Sequence, residues 1–159
     1  MSRPEPPHFQ EELLDKHLEY TYDNGWKYEF HVPNHERIVY AIHGGPMNGR
    51  NNYQTAYYQR IRKNMWQVSW VEETGTTVTI CLDLDEKRIT TFMAFSKGHW
   101  EYPEKAHGYK RTHLEQWRSL AKIGNQTTDR HILPEQATID KIYNGRGELP
   151  EIDMSWETL

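Results

Sequence analysis

A carboxyl group among indole rings is the first feature of this chain that could do chemistry. Counting by two along Trp66, Val68, Trp70 and Glu72 puts all four side chains on one side of a β-strand. A carboxyl desolvated among apolar rings favours its neutral form. Its pKa is therefore expected to rise from about 4.3 toward roughly 6–7, the range useful to a general acid at neutral pH. A plainer reading ends the strand earlier and leaves Glu72 in a solvated turn beside Glu73, since glutamates are seldom buried. The same count places Tyr20 and Tyr22 on one strand face and Tyr28 on the matching face of the next. Three hydroxyls directed into one cavity would donate hydrogen bonds to an anionic oxygen, bonds about twice as strong as those between neutral groups. As ordinary core tyrosines they would instead keep their tips at the rim or on backbone.

Arg50 follows the segment Ile42-His43-Gly44-Gly45-Pro46-Met47-Asn48-Gly49. Its glycines permit sharp turns that could bring the guanidinium to a cavity mouth as a carboxylate partner. Taken alone, Arg50 reads equally well as solvated surface. Nine histidines raise the question of a metal. His31 and His35 are four apart but straddle a strand and a turn, and no HExxH, cysteine pair or H-x-H run occurs. No metal site is expected, and His99, His107 and His113 are expected in a polar loop.

The elements that must position these groups are mostly strands. Leu18, Tyr20 and Tyr22 alternate with Glu19, Thr21 and Asp23; Asn24-Gly25, a strong hairpin signal, follows. The partner strand carries Trp26, Tyr28, Phe30 and Val32 on its apolar face and sends Lys27, Glu29 and His31 to water. Further alternation runs through Ile38-Tyr40-Ile42, Trp66-Val68-Trp70, Val78-Ile80-Leu82 and Ile89-Thr91-Met93-Phe95, with a less regular strand over 53–61 and a last one over 137–143. Residues 96–110 read as a loop, and apolar spacing over 114–123 predicts one helix. Short strands in meander order hide their edges best by closing into an antiparallel barrel. The expected fold is therefore all-β with one helix in the C-terminal half, a closed antiparallel β-barrel whose interior is the ligand site. Residues 1–16 form an N-terminal arm, 17–143 a single barrel domain that includes the loop and helix 96–123, and 144–159 an irregular tail.

A length of 159 residues suits one domain. The chain is 36% hydrophobic but 13% aromatic, so its core must use Trp, Tyr and Phe, whose polar tips need partners when buried. A formal charge of -4 offers no basic field for phosphates and excludes a nucleic-acid binder that depends on counterion release. A small-molecule partner is expected instead. With Cys81 as the sole cysteine no intrachain disulfide can form, and neither a signal-peptide run nor an 18-residue apolar stretch is present, so a soluble, intracellular protein with no membrane role is expected.

Three segments in this order and spacing carry a resemblance: YTYDNGWKYE from Tyr20 to Glu29, IHGGPMNGR ending at Arg50, and SWVEETGT around Glu72. Together they resemble bacterial and fungal phenolic acid decarboxylases over about 17–143, and IVYAIHGGPMNGR, EETGT and FSKGHWE look most like the fungal branch. Bacterial members usually read I-H-S-G, G-R-W and E-P-T-G, where this chain has His43-Gly44-Gly45, Arg50-Asn51 and Glu72-Glu73-Thr74-Gly75, and Ser96 stands where a proline is common. The resemblance implies a lipocalin-like barrel, commonly a homodimer, that acts in the cytoplasm without metal or organic cofactor. It implies decarboxylation of 4-hydroxycinnamic acids to 4-vinylphenols, with Glu72, Tyr20, Tyr22 and Arg50 as catalytic residues and Tyr28, Trp26, Trp70 and Ile42 against the substrate. The rival reading is a non-catalytic carrier whose aromatic barrel binds a small planar acid.

Overall fold

The computed structural model describes residues 2–159; Met1, the first residue of the expected arm, lies outside them. The alternating segments form strands because each has one apolar face to bury. In chain order these are β1 (Lys16–Tyr22), β2 (Lys27–Asn34), β3 (Arg37–Ile42), β4 (Arg50–Thr55), β5 (Tyr57–Arg62), β6 (Met65–Val71), β7 (Thr77–Asp83), β8 (Arg88–Ser96), β9 (Gly108–Tyr109) and β10 (Arg130–Asn144). Helices α1 (Phe9–Glu12), α2 (Lys97–Glu101) and α3 (Lys110–Leu120), with a 3-10 turn over Pro103–Ala106, complete the chain.

All ten strands belong to one sheet in the order β5-β6-β7-β8-β10-β1-β2-β3-β4-β9. This corrects the expectation of a closed barrel: β4 and β5 follow one another in the chain, separated by Ala56, yet do not pair, and β5 and β9 are left as edges. The expected irregular strand over 53–61 is really these two strands. Across the seam, the Tyr58 hydroxyl donates to the Arg37 carbonyl at 2.7 Å, and the Ala56 N–H to the Glu36 carbonyl at 3.0 Å. Phe9, fully buried, packs edge-on against His35, Tyr58 and Trp66, so the N-terminal segment bridges the β2–β3 turn to β5 and β6. The helical content also exceeds the single helix expected, and the last strand begins at Arg130, seven residues before the expected 137.

Register builds the interior. Tyr20 stands opposite Tyr28 and Tyr28 opposite Ile42; Phe30 faces Tyr40, and Tyr40 faces Asn52. On the other limb Trp70 is opposite Val78, and Val78 opposite Met93. Each row is a line of side chains on one sheet face; Tyr20, Tyr28, Ile42 and Tyr40 from one limb and Trp70, Val78 and Met93 from the other line the cavity.

The far face of β1 to β4 is not the open water-facing surface that alternation suggests. The tail after β10 folds over it, burying Leu149 with Val39, Ala41 and Tyr53. His31 is 6% exposed, contrary to expectation, and bonds the Asp15 carboxylate at 2.9 Å. Lys110, the first residue of α3, ties the tail down. Its buried ammonium donates to Thr158 Oγ1 at 2.8 Å, to Gln54 Oε1 at 3.0 Å and to the Tyr53 carbonyl, and lies 2.9 Å from Glu73 Oε1. Burial pulls its pKa down to about 8 despite Glu73.

Removing one partner of a buried ion pair leaves an uncompensated charge and costs about 3–5 kcal/mol. Lys110→Ala should therefore lower the unfolding free energy read from urea denaturation by about 3–5 kcal/mol when Glu73 is left in place. A variant as stable as the parent would show that this ammonium does not hold helix, strand and tail together.

Candidate active site

Glu72 lies one residue past β6, where the ladder continues: its N–H donates to the Thr76 carbonyl at 2.8 Å and its carbonyl accepts the Gly75 N–H at 2.8 Å. This tight turn needs Gly75 at φ +91, a conformation that costs glycine little. The turn keeps the period-two register, so Glu72 points inward and is 2% exposed. The solvated-turn alternative does not hold.

Its carboxylate is fully engaged. Arg50 Nη2 donates to Oε2 at 3.1 Å, Trp70 Nε1 to Oε1 at 3.0 Å, and the Tyr40 hydroxyl to Oε1. Arg50, the first residue of β4, is itself fully buried. Its guanidinium stacks 3.8 Å over the Trp117 ring of α3 and donates to the Ala106 carbonyl at 2.9 Å and to the Tyr40 oxygen at 3.1 Å. Asn52 Nδ2 donates to the same oxygen at 3.1 Å. Tyr40 thus accepts twice and donates once, which aims its proton at Glu72.

This arrangement overturns the expected direction of the Glu72 pKa. Burial alone pushes it up, as anticipated, but Arg50, His99 and the hydrogen bonds from Tyr40 and Trp70 outweigh burial and hold the carboxyl below its ordinary value. His99 is neutral at neutral pH because burial and Arg50 push its own pKa down to about 3, so the guanidinium is the charge that matters there. Glu72 is an anion in the unliganded site.

One cavity of about 420 Å³, its open mouth included, brings the candidates together. Its lining includes Glu72 and Arg50, the tyrosines 20, 22 and 28, and the expected contacts Trp70 and Ile42. Burial raises the Tyr20 and Tyr28 pKa values well above 10 and that of Tyr22 to about 12, so their hydroxyls stay protonated and can only donate to an anion. Tyr22 already bonds Thr91 Oγ1 at 3.2 Å. The Tyr20 ring meets those of Tyr22 and Tyr28 at 5.6 and 5.9 Å.

Trp26 is the exception. It precedes β2 and does not line the cavity; its ring covers Gly45, where a Cβ would lie 2.6 Å from the indole. The tryptophan therefore braces the loop before Arg50 and does not reach the substrate space. Tyr40, Thr76 and His99 line the cavity and were missed. Tyr40 could have been found by the count that found Tyr20, since it shares a face with Ile42. His99 is not in a polar loop: it sits in α2, behind Ser96, whose hydroxyl accepts the His99 N–H at 3.2 Å as an N-cap. Among the described residues no group of three or more His, Cys, Asp or Glu could hold a metal ion.

A family model described as "Phenolic acid decarboxylase (PAD)" matches residues 10–149. The "Phenolic acid decarboxylase PadC" of Bacillus subtilis is 32% identical over 135 residues, covering 84% of this chain and 83% of that protein. A "Probable phenolic acid decarboxylase" of Vibrio cholerae is 32% identical over 128 residues, covering 80% and 73%. Both are bacterial, so they lend nothing to the finer likeness to the fungal branch. Among solved structures, the "putative beta-lactamase from Burkholderia vietnamiensis" superposes with a TM-score of 0.56 at 15% identity, over 89% of this chain and 99% of that one; this is similarity of fold alone.

Tyr40→Phe removes a donor to Glu72 and the acceptor of Arg50 Nε and Asn52. It should cost about 1–3 kcal/mol in urea unfolding and raise the Glu72 pKa, read by carboxyl carbon NMR; an unmoved titration would contradict the network described. His99 adds a pH dependence of stability. Below pH about 6.5 the unfolded imidazole binds a proton that the native one refuses until about 3, so stability falls on acidification across that window. His99→Phe should lose less stability between pH 7 and pH 5 than the parent, and equal losses would contradict the shift.

Proposed function

The chain belongs to the phenolic acid decarboxylase family and is a phenolic acid decarboxylase; from that premise we propose that its substrates are 4-hydroxycinnamic acids, p-coumaric, ferulic and caffeic, turned into 4-vinylphenols and CO2 through a quinone methide. One observation carries the reading: a buried carboxyl held by a guanidinium shares a narrow cavity with tyrosine hydroxyls that stay protonated.

Direct loss of CO2 from a cinnamate would leave a vinyl carbanion with no delocalisation, so an enzyme without an electron sink must first make one. Adding a proton to the side-chain carbon that bears the carboxylate, as the 4-hydroxyl gives up its own to solvent, produces a quinone methide. The bond to CO2 then breaks, and its electron pair returns through the side chain to the ring. The phenolate so formed regains a proton on release. In this reading Glu72 delivers the proton to carbon, Tyr20 and Tyr22 donate hydrogen bonds to an anionic oxygen of the substrate, and Arg50 holds the opposing charge. Tyr28, Trp70 and Ile42 form the walls.

Because Glu72 is ionised at rest, it must take up a proton before it can give one. An anionic substrate oxygen beside Arg50 shares the guanidinium's charge and expels water. Both changes weaken the carboxylate's stabilisation and leave burial to favour the neutral acid. Substrate binding thereby restores the condition that burial alone would create. The reading carries with it a homodimer working in the cytoplasm without metal or organic cofactor, expectations that rest on the family resemblance.

Loss of the long-wavelength absorbance of 4-coumarate tests the proposal, with turnover in excess of the enzyme expected. Cinnamate, lacking the 4-hydroxyl, should be inert; equal consumption of both would rule out the quinone methide. Glu72→Gln should still bind 4-coumarate but lose about 10²–10⁴-fold in kcat, and parental rates in that variant would remove Glu72 from the mechanism.

A further inference from the structure

His99 is the one cavity-lining side chain with a buried polar atom that has no partner among the described residues. Its two ring nitrogens are treated very differently. Nδ1 lies 2.7 Å from Thr76 Oγ1 and 2.9 Å from Thr74 Oγ1. Thr76 Oγ1 accepts the Ser96 N–H at 3.1 Å and keeps its own proton free to point at Nδ1. With Thr76 as the donor to Nδ1, the imidazole carries its proton on the other nitrogen, Nε2. Nδ1 is 3.9 Å from Glu72 Oε2, beyond hydrogen-bond reach. The Nε2 edge is buried with nothing to bond.

An unpaired buried N–H is costly, and native proteins seldom keep one without a use. Here the ring is held with care: Thr74 and Thr76 fix one edge, the Ser96 cap anchors the backbone that carries it, and Phe95 packs edge-on at 5.0 Å. The ring lines the same cavity as Glu72 and Arg50. The geometry points to His99 as a further substrate-binding residue, its Nε2–H donating a hydrogen bond to the substrate oxygen at the Glu72 end of the cavity. Its neutrality suits this role, because a neutral imidazole donates without taking Arg50's place as the local cation. The inference rests on the decarboxylase reading above.

Two amide substitutions separate the ring's edges, since glutamine can place an N–H near Nε2 whereas asparagine reaches only the position of Nδ1. The probe is 3-(4-hydroxyphenyl)propanoate, a saturated analogue that cannot form the quinone methide, with binding followed by calorimetry and folding checked by thermal melts. His99→Asn should weaken binding about 10-fold and His99→Gln should recover most of it. Recovery by asparagine but not glutamine, parental affinity in both, or equal loss in both folded variants would each overturn the inference. The parent protein supplies a measurement that needs no variant: the Nε2 nitrogen-15 resonance should be that of a protonated nitrogen and should shift when the analogue binds, and an unmoved resonance would overturn the inference too. Parental turnover of 4-coumarate, measured alongside, keeps the two readings apart. If the parent consumes 4-coumarate while His99 proves silent, only this inference fails; if it does not, the decarboxylase reading fails first.

Discussion

Arg50 and Glu72 form an ion pair with almost no contact with water, and much of the molecule's arrangement follows from keeping it. Moving two charges out of water is expensive, and their attraction offsets that cost only when the remaining donors and acceptors are also satisfied. Here they are. Tyr40 and Trp70 donate to the carboxylate, while the Ala106 carbonyl, the Tyr40 oxygen and the Trp117 ring take the guanidinium. The 3-10 turn and α3 exist in this fold as the cover that dries Arg50, and β9 pairs with the start of β4 to fix where that arginine begins. The Glu72–Gly75 turn does the same for the carboxylate from the opposite limb of the sheet.

The pair also sets the chemistry available. A lone buried carboxyl would be neutral and ready to give a proton; one held by a guanidinium is an anion that must first be released. Specificity can reside in that step, because only a ligand whose own charge engages Arg50 undoes the pairing. The tyrosine wall behaves oppositely. Burial keeps Tyr20, Tyr22 and Tyr28 protonated, reinforced by the neighbouring tyrosines at Tyr20 and Tyr28, so they are ready donors before any substrate arrives. In the proposed reaction the cavity thus has one end that is prepared and one that binding switches.

What could be read in advance was whatever repeats locally. Period-two alternation located most of the strands and turned Tyr20, Tyr22 and Glu72 inward, because side-chain direction is set by neighbours one and two residues away. Properties created by contacts across the sheet were not legible. The sign of the Glu72 pKa shift depends on Arg50, which is 22 positions earlier, and Arg50 had no pattern to mark it as buried. Closure of the sheet failed for a similar reason: whether β4 meets β5 depends on the break at Ala56 and on Phe9 packed against Tyr58 and His35, neither of which alternation encodes. Trp26 has the right residue type and parity for a substrate contact, but β2 starts one residue later and the indole is taken up by Gly45.

The central claim is that substrate binding converts Glu72 from the carboxylate of an ion pair into the acid that protonates carbon. Difference infrared spectroscopy on protein labelled with carbon-13 at glutamate carboxyls tests it directly, by comparing the molecule with and without a bound, unreactive 4-hydroxyphenyl carboxylic acid at neutral pH. A new labelled band of a protonated carboxyl should appear on binding and be absent from Glu72→Gln. A Glu72 that remains a carboxylate in the saturated complex would contradict the claim.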